Sequence, residues 1–526
     1  MKSEVTSFLF ELRKKMSDIV WKHNKDFRVL LVYPNIQMSA LMPLSMGLFT
    51  ALLKREGYTV DLFDCTFYID GPTDDTNQEK VNNQQVLNYD WSDRGVVPKT
   101  GMIKDFNQQI EDFKPDLVAV SVLESTYYLG LEMMKSIPKK NRTFKTLFGG
   151  VFATYAPEKV IKEEVVDMVC RGEGEVPLVD LCKRMAAGES IDDTPNLWVK
   201  KNGSITKNGM APAIDINLLP FPDWDLFEPQ SIYRPMQGKI YRAVGMENQR
   251  GCPYTCAYCN SPSNNIVYKN EVASKFYRKK TIDQMKAELD FLVDKHKPEL
   301  IYFLVDTFLA MSSREFDEFK ELYMDYKIPF WMNTRAETIN EHRAQGLEDM
   351  NMLRMNIGIE HGNADYREKY LSRRVSDKLM LNAFKMVAEK NYTTVANSII
   401  GMPDETRELI FDTINLSRSL PNKIDASGAF IWAPYHGTTL RDLAVKKGYV
   451  SEKKIASISN CARSMLTMPS ITQNEIQGLA RTFSFYVKFP KERFSEIKIA
   501  EKFNDTGNKM FEKLSAEFSE TYRGQS

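Results

Sequence analysis

The sequence predicts an α/β fold in two parts: a doubly wound parallel sheet, then a partial six-stranded (β/α)6 barrel, then a helical C-terminal region. Three observations carry this. Short apolar runs alternate with helical patterns five times before residue 190. The same alternation repeats six times between residues 238 and 450. Three cysteines, Cys252, Cys256 and Cys259, follow the first strand of the second part.

In the first part, Arg28 to Tyr33 reads as a buried strand and Pro43 to Arg55 as a helix that Gly57 ends. Thr59 to Phe63 is a second strand. The polar stretch from Asp70 to Thr100 reads as a surface excursion. Strands follow at Asp116 to Val122, Phe144 to Phe148 and Val166 to Cys170. Helices are expected at Tyr127 to Ser136, Pro157 to Glu163 and Val176 to Met185. Ahead of the sheet, Val5, Phe8, Leu9, Leu12, Met16 and Ile19 repeat at helical spacing, which predicts a docking helix over 1–26. The sheet is assigned to 27–190 and a connecting segment to 191–237, with a possible hairpin turn at Asn202-Gly203.

The second part, 238–450, has strands at Ile240 to Met246, Leu300 to Val305, Pro329 to Thr334, Arg354 to Ile359, Thr393 to Ile400 and Ala426 to Trp432. Helices are expected at Ile282 to His296, Glu315 to Tyr323 (with a capping box at Ser312), Lys378 to Lys390 and Glu405 to Leu420. Residues 451–526 read as mostly helical.

Composition excludes several classes. Lys+Arg and Asp+Glu both number 70, so no global basic field recruits nucleic acid. No apolar run has the length of a membrane span. Seven cysteines, three of them clustered, do not form a secreted disulfide framework, and a reducing cytoplasm is the expectation. The single residues Cys65, Cys170, Cys182 and Cys461 read as small buried hydrophobes.

Ligands of both architectures bind beyond the carboxyl ends of the strands. In the second part those positions hold the cysteine loop, Asp306, Arg335 with Glu337, Glu360-His361, Gly401-Met402-Pro403 and Tyr435-His436. Three thiols within eight positions suit one soft metal centre with an open fourth position. A structural zinc needs four protein ligands, and no further Cys or His lies near. In the first part the strand ends hold Ser121 to Ser125, Gly149-Gly150 and Arg171-Gly172-Glu173-Gly174-Glu175. Glycines there let backbone approach a bulky ligand.

The spacing Cys252-x-x-x-Cys256-x-x-Cys259 resembles the signature of the radical S-adenosylmethionine (radical SAM) superfamily. That resemblance implies a [4Fe-4S] cluster on the three cysteines and S-adenosylmethionine on the open iron. Reductive cleavage would give a 5′-deoxyadenosyl radical. By the same resemblance Tyr258 packs near adenine, Asp306 meets the methionine amino group, and Arg335 and Glu360 contact carboxylate and ribose. Ile400-Gly401-Met402-Pro403 resembles the adenine motif of the fifth strand. Phe148-Gly149-Gly150, the Gly172 to Glu175 run and Pro43 to Leu48 with Ser45 resemble a Rossmann-like cobalamin-binding domain. Its lower face would lie near Ser121, Leu123 and Glu124. The domain's only histidine is His23, ahead of the first strand, so cobalt would have no histidine ligand from it. Tyr435 and His436 are candidate catalytic residues facing the substrate or the upper face of cobalamin.

The resemblance implies an enzyme that transfers a methyl group from cobalamin to an unactivated carbon of a small molecule, fed by an electron donor such as flavodoxin or ferredoxin. Alternatives are a cobalamin-dependent radical cyclase or oxidative enzyme, a methylthiotransferase-like enzyme, and an iron–sulfur or cobalamin sensor.

Overall fold

The computed structural model describes residues 26–39, 41–70, 80–456 and 463–523. The helix expected over 1–26, except its last residue, and Cys461 lie outside these residues.

The first sheet begins with β1 (Arg28–Tyr33) and β2 (Thr59–Asp64), followed by β3 (Leu117–Ser121), β4 (Lys145–Gly149) and β5 (Met168–Cys170). These five pair in parallel in the order β2-β1-β3-β4-β5, with the chain reversing direction of travel between β1 and β3. Val29, Leu30, Leu31 and Val32 are fully buried, as a strand covered by helices on both faces requires. Each such side chain contributes about 1.5–3 kcal/mol of transfer free energy.

The sheet then gains two antiparallel strands, β6 (Leu197–Lys201) and β7 (Ser204–Lys207), from what the sequence assigned to the connecting segment. Their turn is Asn202-Gly203, with φ of 52° and 80°, the left-handed pair a two-residue hairpin needs. A further helix, Met102–Phe113, precedes β3 and was missed because only Met102, Phe106 and Ile110 of it are buried.

The second sheet opens with the antiparallel pair β8 (Tyr233–Met236) and β9 (Lys239–Met246). A short ribbon of β10 (Gln249–Arg250) and β11 (Arg278–Lys279) follows. The parallel series continues through β12 (Leu300–Phe303), β13 (Phe330–Arg335), β14 (Met352–Glu360), β15 (Thr393–Ile400) and β16 (Asp425–Ile431). The order is β16-β15-β14-β13-β12-β9-β8, so six parallel strands curl without closing. The capping box at Ser312 and Glu315 is present. Helices Gln473–Lys488, Phe494–Ala500 and Asp505–Phe518 make up much of the described C-terminal region.

The polar excursion is not purely a surface feature. Gln85 Nε2 donates to Ala429 O of β16 at 2.8 Å, and Arg94 Nε donates to Ile240 O of β9 at 3.1 Å. Arg94 also lies 5.6 Å over the ring of Tyr233 in β8, so the segment touches both edge strands of the curved sheet.

Asp64 closes β2. Burial raises its carboxyl to about 6, even though Thr66 donates to it from N at 2.9 Å and Oγ1 at 2.5 Å. The folded state therefore holds this proton more tightly than the unfolded chain. Stability is fully present below the unfolded value near 4 and falls as pH rises through about 6. Asp64→Asn is expected to gain about 1–3 kcal/mol at pH 7, shrinking as pH approaches 4. Thermal melts across that range check it, and a gain independent of pH would contradict it.

Candidate active site

The three cysteines sit in the loop between β10 and a helix at Asn260–Val272. That helix is rich in Asn and Ser, poor helix formers, which hid it in the sequence. Its neighbours hold it instead. Cys259 Sγ accepts from Ser261 N at 3.4 Å, and Asn265 Nδ2 donates to Cys252 O at 2.7 Å. Tyr155 of the first sheet's helical layer donates to Asn260 O at 3.1 Å.

Each thiol has its own surroundings. Cys252 Sγ lies 3.4 Å from Thr307 Oγ1. Cys256 Sγ accepts from Arg335 Nη1 at 2.8 Å. Burial pushes the Cys252 thiol up and the Cys259 thiol up to about 12, with Asp306 and then Cys256 adding to the rise in both and Cys252 adding at Cys259. The three are therefore electrostatic neighbours. Among the described residues, however, no group of three or more His, Cys, Asp or Glu side chains is gathered closely enough to hold a metal ion. The donor set fits a soft cluster, with three thiols on one loop and a guanidinium against one sulfur, and thiolates that each bind a different iron need not converge on one point.

Around Cys256 a buried polar cluster brings the expected contact residues together. Arg335 lies 4.0 Å over the Tyr254 ring and pairs with Glu337. Arg373 Nη1 donates to Glu360 Oε1 at 2.9 Å and to Tyr258 OH at 3.3 Å, and its Nη2 donates to Gly358 O at 2.7 Å. Sequence reading missed Arg373, which follows a helix and carries no motif. Glu360 sits at φ 66°, where the β14–β15 register shifts; this bulge turns its carboxylate back over Gly358. Asp306, just past the end of β12, accepts from Ser261 Oγ at 2.7 Å, and burial raises its pKa.

The fifth-strand motif is packed away. Ile400 is fully buried, and Gly401 (φ 77°) would place a Cβ 2.9 Å from Ile476 of the C-terminal helix. Glu405 accepts from Gly401 N and from Met402 N, the latter at 3.0 Å. Tyr366 donates to Pro403 O at 2.7 Å. This turn is covered by protein, against Ile476 and Tyr366.

Tyr435 is partly buried after β16. His436 is committed on both ring nitrogens. Its Nδ1 lies 2.7 Å from Glu124 Oε1, and its Nε2 lies 3.0 Å from Arg441 Nη2. Guanidinium has only donors, so Nε2 accepts and the proton is assigned to Nδ1, facing Glu124. His436 N also donates to Glu124 Oε2 at 2.8 Å, and Ala456 N to Oε1 at 2.7 Å. Glu124 and His436 thus form a tie between the two sheets, and in this arrangement neither is a free acid, base or cobalt ligand.

At the carboxyl ends of β1, β3, β4 and β5 lies a cavity of about 400 Å³. Ser45, Ser121, Leu123, Gly149, Gly150, Gly172, Glu173, Gly174 and Glu175 all line it, and Glu124 does not. Leu31, Ala119, Leu147 and Leu178 make its inner wall apolar, and Leu123 stands 50% exposed at its rim. Gly150 (φ 97°) would place a Cβ 2.5 Å from Val122 O, so only glycine lets the strand end turn here. Arg250 and Asn264 also line the cavity, so it opens beside the cysteine loop. A recess with an apolar inner wall and glycines at its strand ends suits a bulky cofactor that backbone must approach closely. No helix among the described residues is long and apolar enough to cross a membrane.

Comparison with known proteins agrees with this geometry. Residues 246–417 match the Radical SAM superfamily, and residues 40–182 match the B12 binding domain. The chain is 26% identical over 403 residues to an uncharacterised methyltransferase of Pyrococcus horikoshii, covering 75% of this chain and 83% of that one. It is 23% identical over 415 residues to the anaerobic magnesium-protoporphyrin IX monomethyl ester cyclase of Rubrivivax gelatinosus, covering 74% of this chain and 65% of that one. The fold is shared with the cobalamin-dependent S-adenosylmethionine radical enzyme OxsB, whose structure holds aqua-cobalamin and S-adenosylmethionine. The TM-score is 0.63 at 15% identity, over 94% of this chain and 71% of that one.

Proposed function

This chain belongs to the radical SAM superfamily and carries a B12 binding domain ahead of its barrel, and from that premise we propose that it methylates an unactivated carbon of a small molecule. One observation supports this above the others: the cavity at the ends of the first sheet and the cysteine loop of the second share a wall at Arg250. Two cofactors held there would face one space.

When bound, the cluster supplies the electron that cleaves S-adenosylmethionine, and cobalamin supplies the methyl group. The residues then divide the work. Cys252, Cys256 and Cys259 hold the cluster, and Arg335 offsets negative charge at Cys256. Asp306 accepts the amino group of S-adenosylmethionine at the barrel mouth. Tyr258 and Glu360, fixed by Arg373, shape the nucleoside side. Ser45, Gly149, Gly150 and the Gly172 to Glu175 loop would hold cobalamin. Ile400 to Pro403, the turn that resembles the adenine motif, is held rigid by Glu405. An intracellular reductant of the flavodoxin or ferredoxin class completes the reading, with the cytoplasm as its compartment.

The similarity to the anaerobic cyclase favours one alternative, a radical cyclisation without methyl transfer. Anaerobic incubation of reduced enzyme with methyl-labelled S-adenosylmethionine and a metabolite extract separates the two. Methylation yields both 5′-deoxyadenosine and S-adenosylhomocysteine, and label in a product. Cyclisation yields 5′-deoxyadenosine without S-adenosylhomocysteine and without label in the product. Formation of neither nucleoside product contradicts both and leaves a sensor.

A further inference from the structure

The Arg171 to Glu175 run and the Arg250 to Cys252 run belong to different sheets, yet they meet at one guanidinium. Arg250 Nη1 donates to Glu173 Oε1 at 2.8 Å and to Glu175 Oε1 at 2.7 Å, and its Nη2 donates to Glu247 Oε1 at 2.8 Å. Arg278 also pairs with Glu173, and Glu173 N donates to Tyr268 OH at 2.8 Å. None of these three carboxylate side chains is more than 12% exposed.

One side of this clamp is the cavity wall. The other is the cysteine loop, reached through a single residue. Gly251 has φ 84°, and a Cβ there would sit 2.8 Å from Phe276, so the link to Cys252 has little slack. A second path runs from Gln249 Nε2 to Thr307 O at 2.5 Å, and from Thr307 Oγ1 to Cys252 Sγ at 3.4 Å.

We infer that Arg250 is a positioning residue that couples the cavity to the cysteine loop, so that filling either site tightens the other. The inference rests on the cofactor reading above. A guanidinium gripped by several carboxylates has a fixed orientation, and burial keeps solvent from screening the grip. A ligand that orders the Gly172 to Glu175 loop therefore orders Arg250. That lowers the entropic cost of ordering the three thiols around a cluster. Linkage makes the effect reciprocal.

Hydroxocobalamin titrated anaerobically into the full chain, followed by absorbance, gives its affinity with and without reconstituted cluster. The wild type is expected to bind about tenfold more tightly with the cluster. In the Glu173→Gln/Glu175→Gln double variant that ratio is expected to fall toward one. A carboxylate that merely touched cobalamin would change both affinities by the same factor and leave the ratio intact. Arg250→Lys keeps the charge and loses the fork, and serves if the double variant does not fold; its ratio is expected to drop to about twofold or threefold. A wild-type ratio near one, or an undiminished ratio in the variants, overturns the coupling. Failure of the wild type to bind hydroxocobalamin in either state overturns the cofactor reading, and the coupling with it.

Discussion

Cys256→Ala is expected to lose the cluster and, with it, formation of 5′-deoxyadenosine by about a thousandfold or more. Two consequences combine. A centre held by three thiols cannot spare one, because the fourth position belongs to the exchangeable ligand. Cys256 is also the sulfur that Arg335 touches, at 2.8 Å, so its removal strips a buried guanidinium of one partner. Iron and sulfide counts per chain, with deoxyadenosine measured by chromatography, check this. Cys182→Ala is the control: that thiol is fully buried beside the first sheet, and burial raises its pKa far above the usual range. It should leave iron content unchanged. Equal iron in Cys256→Ala and wild type would refute the assignment of the cluster to this loop.

Arg373→Met is expected to cost about 3–5 kcal/mol of stability, the range for breaking a buried ion pair by removing one partner. Its side chain is 1% exposed, and it faces Glu360 at 2.9 Å and Glu337 at 4.0 Å. Burial works against its charge, but Tyr258, Glu360, Cys256 and Glu337 outweigh that and hold its pKa well above the ordinary value. Without it, Glu360 loses the contact that keeps it at a left-handed φ, and Tyr258 loses its phenol partner. Lysine cannot restore this, because one ammonium cannot span Gly358 O, Glu360 and Tyr258 together. Denaturant unfolding of Arg373→Met and Arg373→Lys, with S-adenosylmethionine affinity of the reconstituted proteins, tests both claims. A loss under about 1 kcal/mol would place Arg373 among ordinary surface ion pairs.

Much of this molecule was legible in its sequence. Strand Thr393–Ile400 and helices Tyr127–Ser136 and Ile282–His296 fall at their expected bounds. Each is a long run with a clean period, where local pattern and tertiary burial agree. The glycines expected at the strand ends of the first sheet line a cavity there, where the absence of side chains leaves space. What escaped was set by contacts distant in sequence. Asn260–Val272 is a helix because Tyr155 and Cys252 hold it, and no propensity announces it. Arg373 was invisible because an arginine after a helix is usually solvated, and only the fold buries this one. The pairing of Glu124 with His436 spans 312 positions, so no local pattern announces it.

The excursion that meets both ends of the curved sheet bears on how the chain is built. A sheet that stops short of closure leaves rows of unpaired backbone groups at its rims, and such rims invite adhesion to other chains. Here the upstream part supplies a brace across them, through Gln85 at one rim and Arg94 near the other. The curved sheet and the part that precedes it in translation are consequently built against each other.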